Sequence, residues 1–140
     1  MSPSPKLKGG TNMSGDFEIA EEARKFSCSP YSHYAVGAAL RAKSGKVYMG
    51  CNIENNGIQA ICAERTAFVK ALSEGEREFE CITVLGAPAG EKAVDECVPC
   101  GYCRQFMNEY VDEAFKIYAR QGDEVKTYTM KDLLPHSFKF

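Results

Sequence analysis

The sequence predicts one mixed β-sheet with helices on its faces. Three observations point there: segments of helical and strand period alternate in the order α-β-β-α-β-α-β-β-α, the strand candidates are short apolar runs bounded by turn residues, and a chain of 140 residues has room for a single core. Residues 1–15 carry Pro3, Pro5 and the Gly9-Gly10 pair, with Leu7 the one aliphatic side chain between Ser2 and Asn12. They read as a flexible tail ahead of a single domain over 16–140. After Ser14 and Asp16, both residue types that cap helices, Ile19, Ala23 and Phe26 recur at helical spacing while Glu18, Glu21, Glu22, Arg24 and Lys25 fill the other face. The spacing predicts a helix over roughly 16–28, stopped by Pro30.

Val36-Gly-Ala-Ala-Leu40, the turn Lys43-Ser-Gly-Lys46 and Val47-Tyr-Met49 predict a two-stranded hairpin. From Cys62 onward Ala63, Ala67 and Ala71, with Phe68 and Leu72 beside them, form a helical stripe, and Gly75 suits the left-handed position past its end. Cys81-Ile-Thr-Val-Leu85 is short enough to be a buried strand. A loop over 88–99 leads to a third helix over 100–111. Phe115-Lys-Ile-Tyr-Ala119 and Val125-Lys-Thr-Tyr-Thr129, separated by the turn Gln121-Gly-Asp-Glu124, predict two more strands, and a short helix over 130–134 ends before Pro135.

Composition narrows the function. Seventeen Lys and Arg against nineteen Asp and Glu give a formal charge of -2, without the clustered basic excess a polynucleotide binder uses. No run approaches the roughly 18 apolar residues a membrane span needs. A cytoplasmic protein with neither nucleic-acid nor membrane partners is expected. Seven cysteines is a high count, but it is odd, and the chain is long enough to build a core, so a disulfide scaffold is disfavoured. Metal binding, catalysis or plain burial must explain them.

Pro99-Cys100-Gly-Tyr-Cys103 opens the third helix, where the spacing puts both sulfurs on one face and the helix N-terminus favours thiolates. Cys62-Ala63-Glu64 opens the second helix in the same manner. Three sulfurs with a fourth position open describe a catalytic zinc site. Glu64 is then placed to carry protons for a water whose pKa the metal has lowered, the arrangement of zinc nucleobase deaminases. For Cys62 and Glu64 both to serve, the metal must sit ahead of the helix end, because residues two apart do not share a helix face.

Cys97 extends the spacing to Cys97-x-x-Cys100-x-x-Cys103 and offers the rival reading, a closed four-sulfur structural site with no chemistry. Three thiolates on a divalent zinc carry a net negative charge, so Arg65 and Arg104, which follow the two motifs, are candidates to donate to the sulfurs. Cys28, Cys51 and Cys81 read as buried thiols. His33 and His136 sit at no ligand spacing and read as structural or surface residues.

Taken together, the segments Pro30-Tyr-Ser-His-Tyr-Ala-Val-Gly-Ala-Ala-Leu40, Gly50-Cys-Asn-Ile-Glu-Asn55, Cys62-Ala-Glu-Arg-Thr-Ala67, Pro99-Cys-Gly-Tyr-Cys-Arg-Gln105 and Leu133-Leu-Pro135 with Phe138 resemble the cytidine deaminases, small zinc-dependent nucleoside enzymes. The resemblance spans nearly the whole chain after residue 16. It implies a three-layer α/β/α fold on a five-stranded mixed sheet, and hydrolytic deamination of cytidine or deoxycytidine in pyrimidine salvage. It also implies a homotetramer whose active sites are completed by neighbouring subunits.

The resemblance further implies that Asn52 and Glu54 hold the ribose hydroxyls, that Tyr34 packs on the base where the family usually has Phe, and that the Ala63 N–H meets the pyrimidine carbonyl. Phe138 would stack on the base in a neighbouring subunit's site. The 55–62 loop is one residue shorter than is usual in the family and lacks the tyrosine placed toward the sugar 5′ end. That keeps a related aminopyrimidine nucleoside such as blasticidin S as the alternative substrate. Val98 stands where Ser is commoner, and its backbone carbonyl can still receive the leaving amine.

Overall fold

The structure, a computed structural model, describes residues 13–57 and 60–139. The predicted order of elements is the observed one: α1 (Met13–Arg24), β1 (Tyr34–Ala42), β2 (Val47–Cys51), α2 (Ala63–Ser73), β3 (Phe79–Pro88), α3 (Gly101–Asn108), β4 (Lys116–Gln121), β5 (Glu124–Thr129) and α4 (Met130–Leu133). The five strands form one sheet in the order β2-β1-β3-β4-β5. Only β3 and β4 run parallel, and α3 supplies the crossover that parallel neighbours require. Residues 81–87 of β3 are all buried, as befits a central strand covered on both faces.

Alternate side chains send the sheet into two cores. On one face Ala39, Val47, Leu85 and Ala87 meet Phe17 and Ala20 of α1. On the other, Leu40, Tyr48, Ile82, Val84 and Ile117 meet Phe68 of α2 and Met107 of α3. The result is three layers. Glycines set how closely the helices lie on the sheet. A Cβ at Gly37 would fall 2.0 Å from the Ala20 carbonyl oxygen, and one at Gly50 would fall 2.3 Å from the Ala63 oxygen and 2.6 Å from the Ala67 nitrogen. Gly50 therefore seats the first turn of α2 against β2.

The first helix departs from the predicted stripe. It begins at Met13, so 13–15 are its first turn and not tail, while 1–12 lie outside the described residues. It ends at Arg24, and Phe26, expected on its buried face, is 67% exposed. The buried face is Asp16, Phe17, Ala20, Ala23 and Arg24. Two charged residues can lie inside because each is fully partnered. Asp16 pairs with Arg41. Arg24 donates to the carbonyl oxygens of Ala35 at 2.8 Å, Ala87 at 3.2 Å, Pro88 at 3.3 Å and Glu91 at 3.0 Å, and to Glu21 at 2.6 Å.

Of the three thiols read as buried, Cys81 is buried, Cys51 is half-buried and Cys28 is exposed. The helix has already ended before Cys28, whose backbone instead bonds Asn52 and Glu54. His33 and His136 are both exposed and hold the left-handed backbone, with φ of 57 and 54. The third helix ends at Asn108, three residues short of the predicted boundary at 111.

Candidate active site

Two helices begin at one place. Cys62 is the N-cap of α2 with φ -75 and ψ 157, Cys100 is the N-cap of α3 with φ -69 and ψ 169, and neither side chain caps its own helix. Cys103 lies buried in the first turn of α3. The three sulfurs lie within 4.8 Å of one another, and the Cys62 and Cys100 sulfurs are 3.5 Å apart. All seven cysteines are free thiols. Tetrahedral zinc at its usual sulfur distance spaces its ligands about 3.8 Å apart, so the cluster fits that ion with little adjustment. The extended backbone at Cys62 also places its sulfur ahead of the first turn, where a metal can lie in front of the helix end.

The Cys62 sulfur sits where negative charge is favoured. Cys62 is pulled down to about 5, first by the hydrogen bond from Cys103, then by Cys100 and the Arg65 guanidinium against the opposing effect of burial. Cys103 is pushed up by that same contact and by burial. The Arg65 guanidinium lies near the sulfurs of Cys62 and Cys103, whose negative charge raises its pKa against burial, and it donates from Nη2 to the Ala60 oxygen at 2.7 Å and lies 4.1 Å over the Tyr102 ring. Arg104 turns elsewhere. Its Nε donates to the Pro99 oxygen at 2.7 Å and its Nη1 to the Leu133 oxygen at 3.0 Å, fastening the approach to α3 against α4.

Glu64, in the first turn of α2, is 3% exposed, and burial pushes its carboxyl up to about 7 with the charge of Cys62 adding to the rise. A cavity of about 310 Å³ opens in front of it. Tyr34, Asn52, Glu54, Cys62, Ala63, Glu64 and Cys100 line this cavity together, with Val36, Ile61 and Val98 as apolar wall. Cys97 also lines it but is not among the converging sulfurs. Burial pushes its thiol up to about 12, and a Cβ on neighbouring Gly86 would come within 2.8 Å of its sulfur. The four-sulfur alternative does not form. A larger cleft of about 450 Å³ lies beside Arg24, whose donors are already spent on carbonyl oxygens, and none of the three sulfurs lines it.

Asn52 and Glu54 are held in defined orientations. The Asn52 side-chain oxygen accepts from Val36 N at 3.0 Å and Ser27 Oγ at 2.5 Å, while its nitrogen donates to the Tyr34 oxygen at 2.8 Å. Those donors fix which end of the amide is which, leaving one N–H. Glu54 Oε1 accepts from the backbone nitrogens of Tyr31 and Ser32, each at 3.0 Å, and Oε2 accepts from Ser32 Oγ at 2.5 Å. Ser27 and Ser32 went unassigned in the sequence; Ser32 sits inside the Pro30-Tyr-Ser-His-Tyr34 segment, but nothing in that string says where a hydroxyl will point. Phe138 is not brought to this cavity. It is 62% exposed, and its carbonyl accepts from Gln105 Nε2 at 3.0 Å and Asn108 Nδ2 at 3.4 Å.

Known proteins share this arrangement of chain. Residues 15–119 match the family described as the cytidine and deoxycytidylate deaminase zinc-binding region. A cytidine deaminase of Sporosarcina psychrophila is 41% identical over 122 residues, covering 85% of each chain. The crystal structure of cytidine deaminase from Burkholderia pseudomallei superposes with a TM-score of 0.83 at 37% identity, over 91% of this chain and 100% of that one. A blasticidin-S deaminase of Bacillus cereus is 32% identical over 127 residues, 86% of this chain and 89% of its own.

Proposed function

The chain belongs to the cytidine and deoxycytidylate deaminase family, and from that premise we propose that it replaces the exocyclic amine of cytidine and deoxycytidine with oxygen, consuming water and releasing ammonia. The observation that carries this reading is the convergence of the Cys62, Cys100 and Cys103 sulfurs beside a cavity lined by Cys62, Cys100 and the buried Glu64. The sulfur set is the one zinc prefers, and it leaves a coordination position open. Zinc held there supplies the Lewis acidity that makes water a nucleophile near neutral pH.

Glu64 moves the protons. A carboxyl that titrates near neutrality can both take a proton and return it. It accepts one from the attacking water and delivers it to ring N3, then passes the water's second proton to the departing amine as the C4–N bond breaks. Ala63 and Tyr34 both line the cavity, which supports the Ala63 N–H as the donor to the pyrimidine carbonyl and Tyr34 as an aromatic wall for the base. Asn52 has a spare N–H, and Glu54 has one lone pair unclaimed by its three donors. A donor beside an acceptor matches a single sugar hydroxyl, which both accepts and donates. Arg65 offsets the net negative charge of three thiolates on zinc.

We take the chain from α1 onward as one catalytic domain and the active form as a cytoplasmic homotetramer of pyrimidine salvage. A cavity of about 310 Å³ open on one side supports completion by a neighbouring subunit, with its Phe138 over the base. No helix among the described residues is long and apolar enough to cross a membrane.

Ammonia release from cytidine, with and without a chelator, tests the reading. Turnover should be lost to the chelator and restored by zinc. Glu64→Gln should keep zinc and fold while losing about 10³-fold or more in turnover; near wild-type turnover in that variant refutes the role. Blasticidin S belongs in the same substrate panel, because a blasticidin-S deaminase is among the relatives. Preferred turnover of it over cytidine would replace the substrate assignment and leave the chemistry intact.

A further inference from the structure

Between Pro30 and Tyr34 the chain crosses the rim of the cavity without regular structure, and one side chain ties it to the sugar end. Ser32 Oγ accepts a hydrogen bond from Tyr34 N at 3.1 Å and donates its only proton to Glu54 Oε2 at 2.5 Å. Two backbone N–H groups, of Tyr31 and Ser32, saturate the other oxygen, Oε1. An ionised carboxylate offers about four acceptor sites. With three filled, the remaining one is on Oε2, the oxygen whose orientation the Ser32 hydroxyl sets. Ser32 and Glu54 both line the cavity that Cys62 and Glu64 border.

We propose that Ser32 is a positioning residue for sugar recognition: its hydroxyl aims the last free lone pair of Glu54 at a ribose hydroxyl, so that it governs how well the enzyme distinguishes a nucleoside carrying that hydroxyl from one lacking it. This rests on the reading of Glu54 as a sugar contact. The chemistry supports it on a second count. A hydrogen bond to an ionised oxygen is short and directional, and here it holds the Glu54 carboxyl below the usual carboxylate range, with the Ser32 hydroxyl as the leading cause. Glu54 is therefore an acceptor at working pH, which suits a hydroxyl donor. Because Ser32 is exposed, a methyl group added at its Cβ meets solvent and not the core.

The test is steady-state kinetics of wild type, Ser32→Ala, Ser32→Thr and Glu54→Gln on cytidine and on 2′,3′-dideoxycytidine. Ser32→Ala should raise KM for cytidine about tenfold, lower kcat less, and leave KM for the dideoxynucleoside within about twofold. Ser32→Thr, which keeps the hydroxyl, should restore KM for cytidine. Equal KM changes for both nucleosides in Ser32→Ala, or no change for either, would overturn the proposal in favour of a purely structural loop residue. Glu54→Gln separates the two levels. If it abolishes the preference for cytidine while Ser32→Ala does not, only the role of Ser32 falls. If Glu54→Gln leaves the preference untouched, the sugar contact itself is wrong.

Discussion

The Asp16 carboxylate grips the Arg41 guanidinium from two sides, Oδ1 accepting from Nη2 at 2.6 Å and Oδ2 from Nε at 3.2 Å, with both side chains sealed from solvent. The pair joins α1 to β1. Removing one member of a buried pair strands the other, which typically costs about 3–5 kcal/mol. Asp16→Asn should therefore lower stability by about that much in denaturant titration. The double variant Asp16→Leu with Arg41→Met, which leaves no orphan charge, should recover most of it.

Arg65 and Arg104 separate by partner. Arg65→Ala removes the positive charge beside the Cys62 and Cys103 sulfurs and should weaken zinc binding by about 10–100-fold in chelator competition. Arg104→Ala removes only the ties to Pro99 and Leu133 and should leave zinc affinity within about threefold, loosening the 130–139 segment instead. Hydrogen exchange of that segment is the check.

Gly50→Ala forces a Cβ into the backbone of α2, against Ala63 and Ala67, and that backbone cannot step aside as a flexible side chain could. A loss of about 1–3 kcal/mol in stability is expected. Because the displaced turn carries Cys62 and Glu64, zinc affinity and kcat should fall too. Gly37→Ala, crowding α1 through Ala20 and Arg24, should cost stability with a smaller effect on zinc affinity.

Glu54 sets a pH dependence. Its carboxyl is held below the ordinary value, chiefly by the Ser32 hydroxyl and then by the Ser32 and Tyr31 amides. A depressed folded value means the carboxylate's contribution is whole above the unfolded pKa and disappears as pH falls through the folded one. A carbon NMR titration of Glu54 should place its midpoint below that of a free glutamate. Ser32→Ala should move the midpoint upward.

The order of elements was readable because each strand and helix announces itself by period, and the metal site because its residues come in two short strings at helix starts. Cys62-Ala-Glu64 and Cys100-Gly-Tyr-Cys103 need only be brought end to end. The buried face of α1 was not readable. Asp16 and Arg24 look solvent-bound until Arg41, Ala87 and Glu91 arrive from distant parts of the chain to satisfy them. Ser32 was hidden for a similar reason, since its role exists only when Glu54, 22 residues on, folds back against it. Phe138, proposed to act in a neighbouring subunit, is exposed and lies away from the cavity of its own subunit.

The placement of Cys62 and Cys100 has a mechanical meaning as well. These residues stand 38 positions apart, with all of α2 and β3 between them. An ion gripping both shuts that stretch into a ring. By the loop-entropy relation used for disulfides, such a closure removes about 4 kcal/mol of freedom from the unfolded chain. The catalytic centre is then also a clasp, and heating the protein with a chelator should melt it well below the temperature at which the zinc-loaded protein melts.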